Sequence, residues 1–290
     1  MLGVRAEETD PSTGETKEVY KVNVYSAIQR DDPKMPTLLR QIDVIAEAGT
    51  LLATDNCSIV VVAHGNPGDG TTFGSVSLIK GLEKIHTQDD DANFDLQVDN
   101  ISLDGDGTWD DQYILNKGLN LPMTLKGLEY WDDYSHMADD LDFSELRANY
   151  RPSTFMSPAT LSWASKKQVE VLINMQPNNG ILRLDAINNK VLDVSGLGLK
   201  NHEEIPVDIN SQDKDCKLKT YDHLFAMRGP DKIKVIQYND KNYVLTCNEG
   251  ETSAYQNWNE IFTANTIFNV SLLLYGMAGM SVAAIASALM

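Results

Sequence analysis

Cysteine is scarce in this sequence. The 290 residues include three cysteines, Cys57, Cys216 and Cys247, which lie far apart and belong to no CxxC or Cys/His cluster. A structural zinc site needs four closely grouped ligands, so this spacing argues against one. Three cysteines also allow at most one disulfide within the chain. The fold must therefore depend on a hydrophobic core, which a chain of this length can form.

Basic residues are outnumbered. The chain has 24 Lys+Arg against 42 Asp+Glu, for a formal net charge of -18. A surface this negative repels phosphates, which argues against a nucleic-acid partner. It favours cations: bound calcium, a mineral surface or basic protein partners. A large net charge also favours solubility, so the charge alone does not show that the protein binds any of these ligands.

The N-terminal end of the chain lacks an apolar stretch, and the C-terminal end lacks charged residues. Residues 1–18 contain no apolar stretch of the kind found in secretory signals, and we predict a polar, disordered leader there. Beyond Glu260 no charged residue occurs, and residues 268–290 are almost entirely apolar, long enough to cross a bilayer as a helix. We expect this segment to attach the protein to a membrane, as a spanning helix or as the signal for a glycosylphosphatidylinositol anchor. A hydrophobic helix packed on the domain is the alternative.

The body of the chain, residues 19–267, has the pattern of a mainly β protein. Short runs rich in valine, isoleucine and tyrosine are separated by turn sequences such as PNNG, INNK and YNDK. Helical periodicity is confined to residues 125–148. Strand–loop phrases that recur along the chain favour β-propeller-type repeats over a sandwich. The predicted strands lie within residues 19–28, 58–65, 74–82, 159–165, 168–176, 180–187, 190–199, 233–240 and 242–250.

Five loop sequences occur in the order found in a known family. They are Val62-Ala63-His64-Gly65-Asn66-Pro67, Gly198-Leu199-Lys200-Asn201-His202-Glu203, Asp213-Lys214-Asp215-Cys216, Pro230-Asp231-Lys232-Ile233 and Thr246-Cys247-Asn248-Glu249-Gly250-Glu251. With these loops the chain resembles the choice-of-anchor I family, which includes mesenchyme-specific cell-surface glycoproteins of biomineralising animals. The resemblance implies a β-propeller at the cell surface or in the secretory pathway. The chain is shorter than a complete family propeller, so we expect an incomplete ring.

Closely spaced aspartates make residues 102–110 the strongest metal candidate. Calcium takes six to eight oxygen ligands, and Asp104, Asp106 and Asp110 lie on a glycine-bent loop that could supply several of them. The positions that would complete an EF-hand-like loop hold Ser102 and Tyr113, so a weak site and a solvated acidic turn both fit. A second candidate group is Asp213, Asp215, Asn248 and Glu249.

The predicted function is that of a calcium-binding glycoprotein of the cell surface or secretory pathway, and the family resemblance implies an association with biomineral. Sequons at Asn56, Asn100 and Asn269 are compatible with glycosylation. Because some relatives carry alkaline phosphatase names, the alternative is a zinc- or magnesium-dependent phosphoesterase in which His202, Asp231 and Glu249 hold the metal. A third interpretation is a protein that serves only as an interaction surface.

Overall fold

The computed structural model describes residues 2–26, 36–64, 74–85, 96–121, 151–209, 214–250, 254–255 and 258–259. These residues form mainly antiparallel β-structure. The first sheet has the order β1-β2-β3, with β1 at Leu2–Thr9, β2 at Thr16–Tyr25 and β3 at Leu38–Val44. The expected disordered leader is therefore wrong within residues 2–9, because these residues pair with β2 along their whole length.

Two four-stranded antiparallel sheets form the centre of the protein. The first consists of β4 (Ala48–Ala53), β5 (Ile59–His64), β6 (Ser75–Lys80) and β7 (Gln97–Ser102), paired in chain order. The second consists of β8 (Thr160–Trp163), β9 (Glu170–Met175), β10 (Gly180–Asp185) and β11 (Lys190–Gly196), again paired in chain order. Each sheet is thus a four-stranded meander, the unit of which propeller blades are made.

Smaller elements complete the described chain. Helix α1 spans Asp111–Asn116, and 3₁₀ turns occupy Leu82–Lys84 and Pro152–Phe155. Two-stranded ribbons follow: β12 (Leu199–Asn201) with β13 (Phe225–Met227), β14 (Pro230–Tyr238) with β15 (Lys241–Asn248), and β16 (Ala254–Tyr255) with β17 (Trp258–Asn259).

The mainly β class is confirmed, but the propeller ring remains a prediction. All nine apolar runs contain strands, and the YNDK turn is the tight hairpin between β14 and β15. The helix expected over 125–148 and the apolar segment 268–290 lie outside the described residues. Within the described part of the chain, no helix is long and apolar enough to span a membrane.

The main core lies between the two four-stranded sheets. Its fully buried side chains include Val61, Leu78, Ile173 and Leu182, two from each sheet. The sheets are also joined by polar contacts, since the indole of Trp163 donates a 2.9 Å hydrogen bond to the carbonyl of Ala53. A second core cluster packs the three-stranded sheet against the outer face of the first four-stranded sheet.

Candidate functional site

The acidic loop connects β7 to helix α1, at one end of the first four-stranded sheet. Gly105, Asp106 and Gly107 have φ values of 63°, 57° and 78°, so three consecutive residues adopt the left-handed conformation that glycine tolerates best. Asp110 ends the loop as the N-cap of α1, where its carboxylate accepts a 2.8 Å hydrogen bond from the backbone N–H of Tyr113. The glycines of the DGDG sequence are what allow so short a loop to turn this sharply.

Asp104 anchors this loop through a buried ion pair. Its side chain is fully buried, and Arg151 donates two hydrogen bonds to it, from Nε at 2.9 Å and from Nη2 at 2.7 Å. The hydroxyls of Ser102 and Ser153 and the N–H of Gly107 donate to the same carboxylate. Burial alone would raise the pKa of Asp104, but these donors outweigh it and the pKa is lowered.

This pairing changes the predicted role of Asp104. Both of its carboxylate oxygens accept hydrogen bonds, and the guanidinium already supplies the positive charge that calcium would supply. Asp106 is exposed, and Asp110 is exposed with one oxygen used in the helix cap. Among the described residues, no three histidine, cysteine, aspartate or glutamate side chains form a group that could hold a metal ion. Calcium binding by this loop stays a prediction, with Asp106 and Asp110 as its exposed carboxylates.

An open recess of about 270 Å³ lies beside the loop. Its walls combine hydroxyl, amide, carboxylate and guanidinium groups with two aliphatic side chains, from Ile45, Ser75, Asn100, Ile101, Ser102, Asp106 and Arg151. Asp104 and Arg151 offset each other, so Asp106 leaves the wall with a negative charge. The recess therefore presents several oxygen atoms to a small polar or cationic ligand.

A chain of side-chain hydrogen bonds crosses the sheet behind the recess. His64 Nε2 lies 2.7 Å from Ser77 Oγ, and the Ser77 hydroxyl donates a 2.6 Å hydrogen bond to Asn100 Oδ1. With its proton used in this way, Ser77 Oγ can accept a hydrogen bond from a protonated His64 Nε2, while His64 Nδ1 lies 3.3 Å from the carbonyl oxygen of Glu47. His64 is fully buried, and burial lowers its pKa, in agreement with the neutral form. The chain fixes the Asn100 side chain at the recess wall.

Comparison with known proteins decides the family. The choice-of-anchor I domain matches residues 9–286, nearly the whole chain. The chain belongs to the choice-of-anchor I family. Searches of curated proteins and of solved structures gave no match. This match confirms the expected family. The family is one of cell-surface-associated proteins, which supports a cell-surface or extracellular location, while attachment to a membrane stays a prediction.

The family loops at the C-terminal side of the protein are only partly brought together. Asn248 pairs with Pro230, and the N–H of Glu249 donates a 3.0 Å hydrogen bond to the carbonyl of Gly229, so Asp231, Asn248 and Glu249 lie at the same end of the β14–β15 ribbon. The Asp231 carboxylate accepts a 3.2 Å hydrogen bond from the ammonium group of its neighbour Lys232.

His202, the third residue of the alternative catalytic set, is held elsewhere. It is buried, and its Nδ1 lies 2.7 Å from the carbonyl of Ile205. His202, Asp231 and Glu249 all lie in the described part of the chain, and they do not form a metal-holding group there. In the second predicted calcium group, Asp215 is paired with Lys217 at 2.8 Å, while Asp213 lies outside the described residues.

Arg151 and Ser153 are the site residues that sequence reasoning missed. They lie at the start of the 3₁₀ turn Pro152–Phe155, 47 and 49 residues beyond Asp104. No local motif marks them, because their role is defined only by the buried carboxylate that they contact.

Proposed function

We propose that this choice-of-anchor I protein is a cell-surface glycoprotein that binds cations through the acidic loop and the recess beside it. The observation that carries the proposal is the anchoring of the loop. The buried pair between Asp104 and Arg151 fixes the backbone, and this leaves Asp106 and Asp110 exposed on a pre-formed turn. A ligand site whose shape exists before binding costs less ordering entropy when it is occupied.

Calcium fits this loop as a weakly bound ligand. The nearby oxygen donors are carboxylate, hydroxyl and amide groups, which a hard cation prefers. Two exposed carboxylates, one of which also caps α1, are few for a site of six to eight ligands, so several positions would be filled by water. We therefore expect an affinity in the range of about 10⁻⁴–10⁻³ M, as in extracellular calcium modules. An association with calcium mineral would use the same exposed carboxylates.

Thermal unfolding tests this proposal. Millimolar calcium should raise the unfolding midpoint of the wild-type chain, because a ligand that prefers the native state stabilises it. The Asp106→Asn variant should lose this shift, whereas Asp43→Asn, a change of the same charge on β3, should keep it. If the midpoint does not move, or moves equally with Asp106→Asn, the loop is not a calcium site.

Of the three sequons, the one at Asn56 has the position most accessible for glycosylation among the described residues. It lies on the exposed turn between β4 and β5, and its Oδ1 accepts from Ser58 N–H at 3.1 Å. Its side-chain nitrogen, which would bond to the sugar, has no partner among the described residues. Asn100 instead lies on β7 and accepts from Ser77, so a sugar there would extend from the recess wall. Asn269 lies outside the described residues.

Expression with a fused secretion signal in a eukaryotic host tests the glycan. An N-glycosidase should lower the mass of the secreted wild-type protein, and Asn56→Gln should remove most of that shift. Asn100→Gln is the matched control and should retain it. A protein whose mass the glycosidase does not change would contradict the glycoprotein part of the proposal.

The described residues give no support to metal-dependent phosphate ester hydrolysis. The residues predicted for it, His202, Asp231 and Glu249, do not come together as a metal group in the described structure. No other observation on these residues favours that reaction.

A further inference from the structure

Three polar side chains meet at the rim of the main core, where the two four-stranded sheets face each other. Lys80 comes from the end of β6, Asp99 from β7, and Asn189 from the turn between β10 and β11. Asp99 is opposite the buried core residue Leu78, and Lys80 follows Leu78 by two positions, so both lie on the core-facing side of their sheet. The cluster therefore joins the two sheets, with Lys80 and Asn189 109 positions apart in the sequence.

The contacts within this cluster are short and chemically matched. Lys80 Nζ donates a hydrogen bond to Asn189 Oδ1 at 2.5 Å and another to the carbonyl of Ile187 at 3.0 Å. Asn189 Nδ2 donates to Asp99 Oδ2 at 2.6 Å, and Gln97 Nε2 donates to the same oxygen at 2.7 Å. The Asn189 amide thus has its oxygen beside an amine and its nitrogen beside a carboxylate, as its acceptor and donor groups require.

The turn between β10 and β11 holds Asn189 in this position. Asn189 has a φ of 56°, in the left-handed region that asparagine adopts more readily than most residues. The carboxylate of Asp185 accepts hydrogen bonds from the backbone N–H groups of Ile187 and Asn188, which closes the turn. The Asn189 amide is therefore presented to Lys80 by an ordered backbone.

This arrangement brings an amine within reach of an amide carbon. A carbonyl bond is about 1.2 Å long, so a 2.5 Å contact with Asn189 Oδ1 places Lys80 Nζ no more than about 3.7 Å from Asn189 Cγ. Reacting groups that are held about 3–3.5 Å apart behave as if at effective concentrations of about 10⁵–10⁸ M. Asp99 contacts the nitrogen that would leave, which is where a general acid and base is needed.

We propose that Lys80 and Asn189 form an intramolecular isopeptide bond, with Asp99 transferring the protons. Lys80 Nζ bonds to Asn189 Cγ, the Cγ–Nδ2 bond breaks, and the side-chain nitrogen leaves as ammonium. Starting from the lysine ammonium, two protons pass from Nζ to Nδ2 through Asp99, so atoms and charge balance. The reaction needs no oxidant, metal or cofactor. It joins the two central sheets covalently and does not depend on cation binding by the acidic loop.

The charge of the lysine determines how fast this reaction proceeds. Only a neutral amine attacks an amide carbon, and lysine is mostly charged at neutral pH. The carboxylates of Asp99 and Asp185 are the charged groups beside Lys80. We therefore expect a slow reaction at neutral pH and a faster one at alkaline pH. A slow reaction is sufficient, because it occurs once per molecule and the released ammonium diffuses away.

Intact mass spectrometry of the full chain tests the bond. The protein is produced in a bacterial cytosol, which adds no glycan, and is incubated in mild detergent at about pH 9. Its mass should then be lower than the sequence mass by one ammonia, about 17 Da. Trypsin does not cleave after an acylated lysine, so residues 41–84 should remain one peptide that is joined to residues 184–190. Fragmentation of this linked peptide should place the bond on Asn189 and not on Asn188.

Substitutions in the cluster should prevent the loss of ammonia. Lys80→Arg keeps the positive charge but removes the amine, and Asn189→Gly keeps the left-handed turn but removes the amide. Both variants should retain their full mass. Asp99→Asn should slow the cross-link by about 10²-fold or more, the usual contribution of a general acid and base. Lys117→Arg is the matched control: Lys117 contacts Asp193 at 2.7 Å away from this cluster, and its replacement should leave the linked peptide unchanged.

Two results would overturn the proposal. The first is a wild-type chain that keeps its full mass and yields no linked peptide after the alkaline incubation. The second is a mass deficit that persists in Lys80→Arg, because a succinimide formed on an asparagine also releases one ammonia. Melting curves of the variants show whether they fold. Since the linked peptide is read directly in the wild-type protein, the test does not depend on the stability of the variants.

Discussion

The β14–β15 ribbon and the second four-stranded sheet have equally strand-like sequences but very different environments. In β9, five of six residues are buried, whereas in β15 all residues but Thr246 are exposed. β9 has a strand on each side and packs across the main core, while β15 pairs only with β14 among the described residues. β-propensity specifies that a segment is extended, and neighbouring elements decide how much the segment contributes to stability.

The largest expected difference between the two regions is in the cost of losing a leucine. Leu182 on β10 is fully buried, and Leu182→Ala should lower the free energy of unfolding by about 4 kcal/mol through lost burial and a cavity. Leu245→Ala on the ribbon should change it by no more than about 0.5 kcal/mol in dilute solution. Urea unfolding of both variants measures this. Equal losses would mean that the ribbon is part of the core.

Breaking the buried ion pair should have the next largest effect. Arg151→Met leaves the Asp104 carboxylate buried without its countercharge, and we expect the free energy of unfolding to fall by about 3 kcal/mol. This value is at the lower end for a buried ion pair because Arg151 is itself 35% exposed. The matched control is Arg183→Met, which removes a more exposed pair with Glu170 and should cost less than about 1 kcal/mol. Chemical unfolding at neutral pH compares the two. A loss for Arg151→Met as small as that of the control would show that the pair does not anchor the loop.

The pH dependence of stability should also separate the regions. Burial lowers the pKa of His64, so below about pH 6.5 the unfolded chain binds a proton that the folded chain excludes. The stabilisation from a neutral His64 is therefore complete above that pH and decreases as the pH falls towards the lower folded pKa. The ribbon contains no histidine and should not contribute. His64→Gln should flatten the unfolding free energy between pH 7 and 5; an unchanged slope would assign the dependence to another group.

Much of the strand pattern was predictable from sequence, but the site was not. Apolar runs such as 58–65 and 168–176 contain strands because alternation and turn residues act locally. β1, β3, β4 and β7 were missed because charged or small residues interrupt their patterns, and pairing with neighbours decides their conformation. The acidic loop was found by its aspartates, yet the partner of Asp104 comes from 47 residues away. Spacing alone cannot show which carboxylate a distant arginine will use.

The smallest predicted effect concerns the turn of the ribbon. Asp240 has a φ of 58°, a conformation that glycine adopts without steric cost, and Asn-Gly is the preferred pair for a type I′ turn. Asp240→Gly should therefore stabilise the ribbon by about 0.5 kcal/mol, and Asp240→Ala should destabilise it by about 1 kcal/mol, because a Cβ is disfavoured there. Hydrogen exchange of the ribbon amides reports this change locally, whereas amides in β9 should keep their protection. If both variants slow exchange equally, the gain comes from removing the carboxylate's charge and not from backbone conformation.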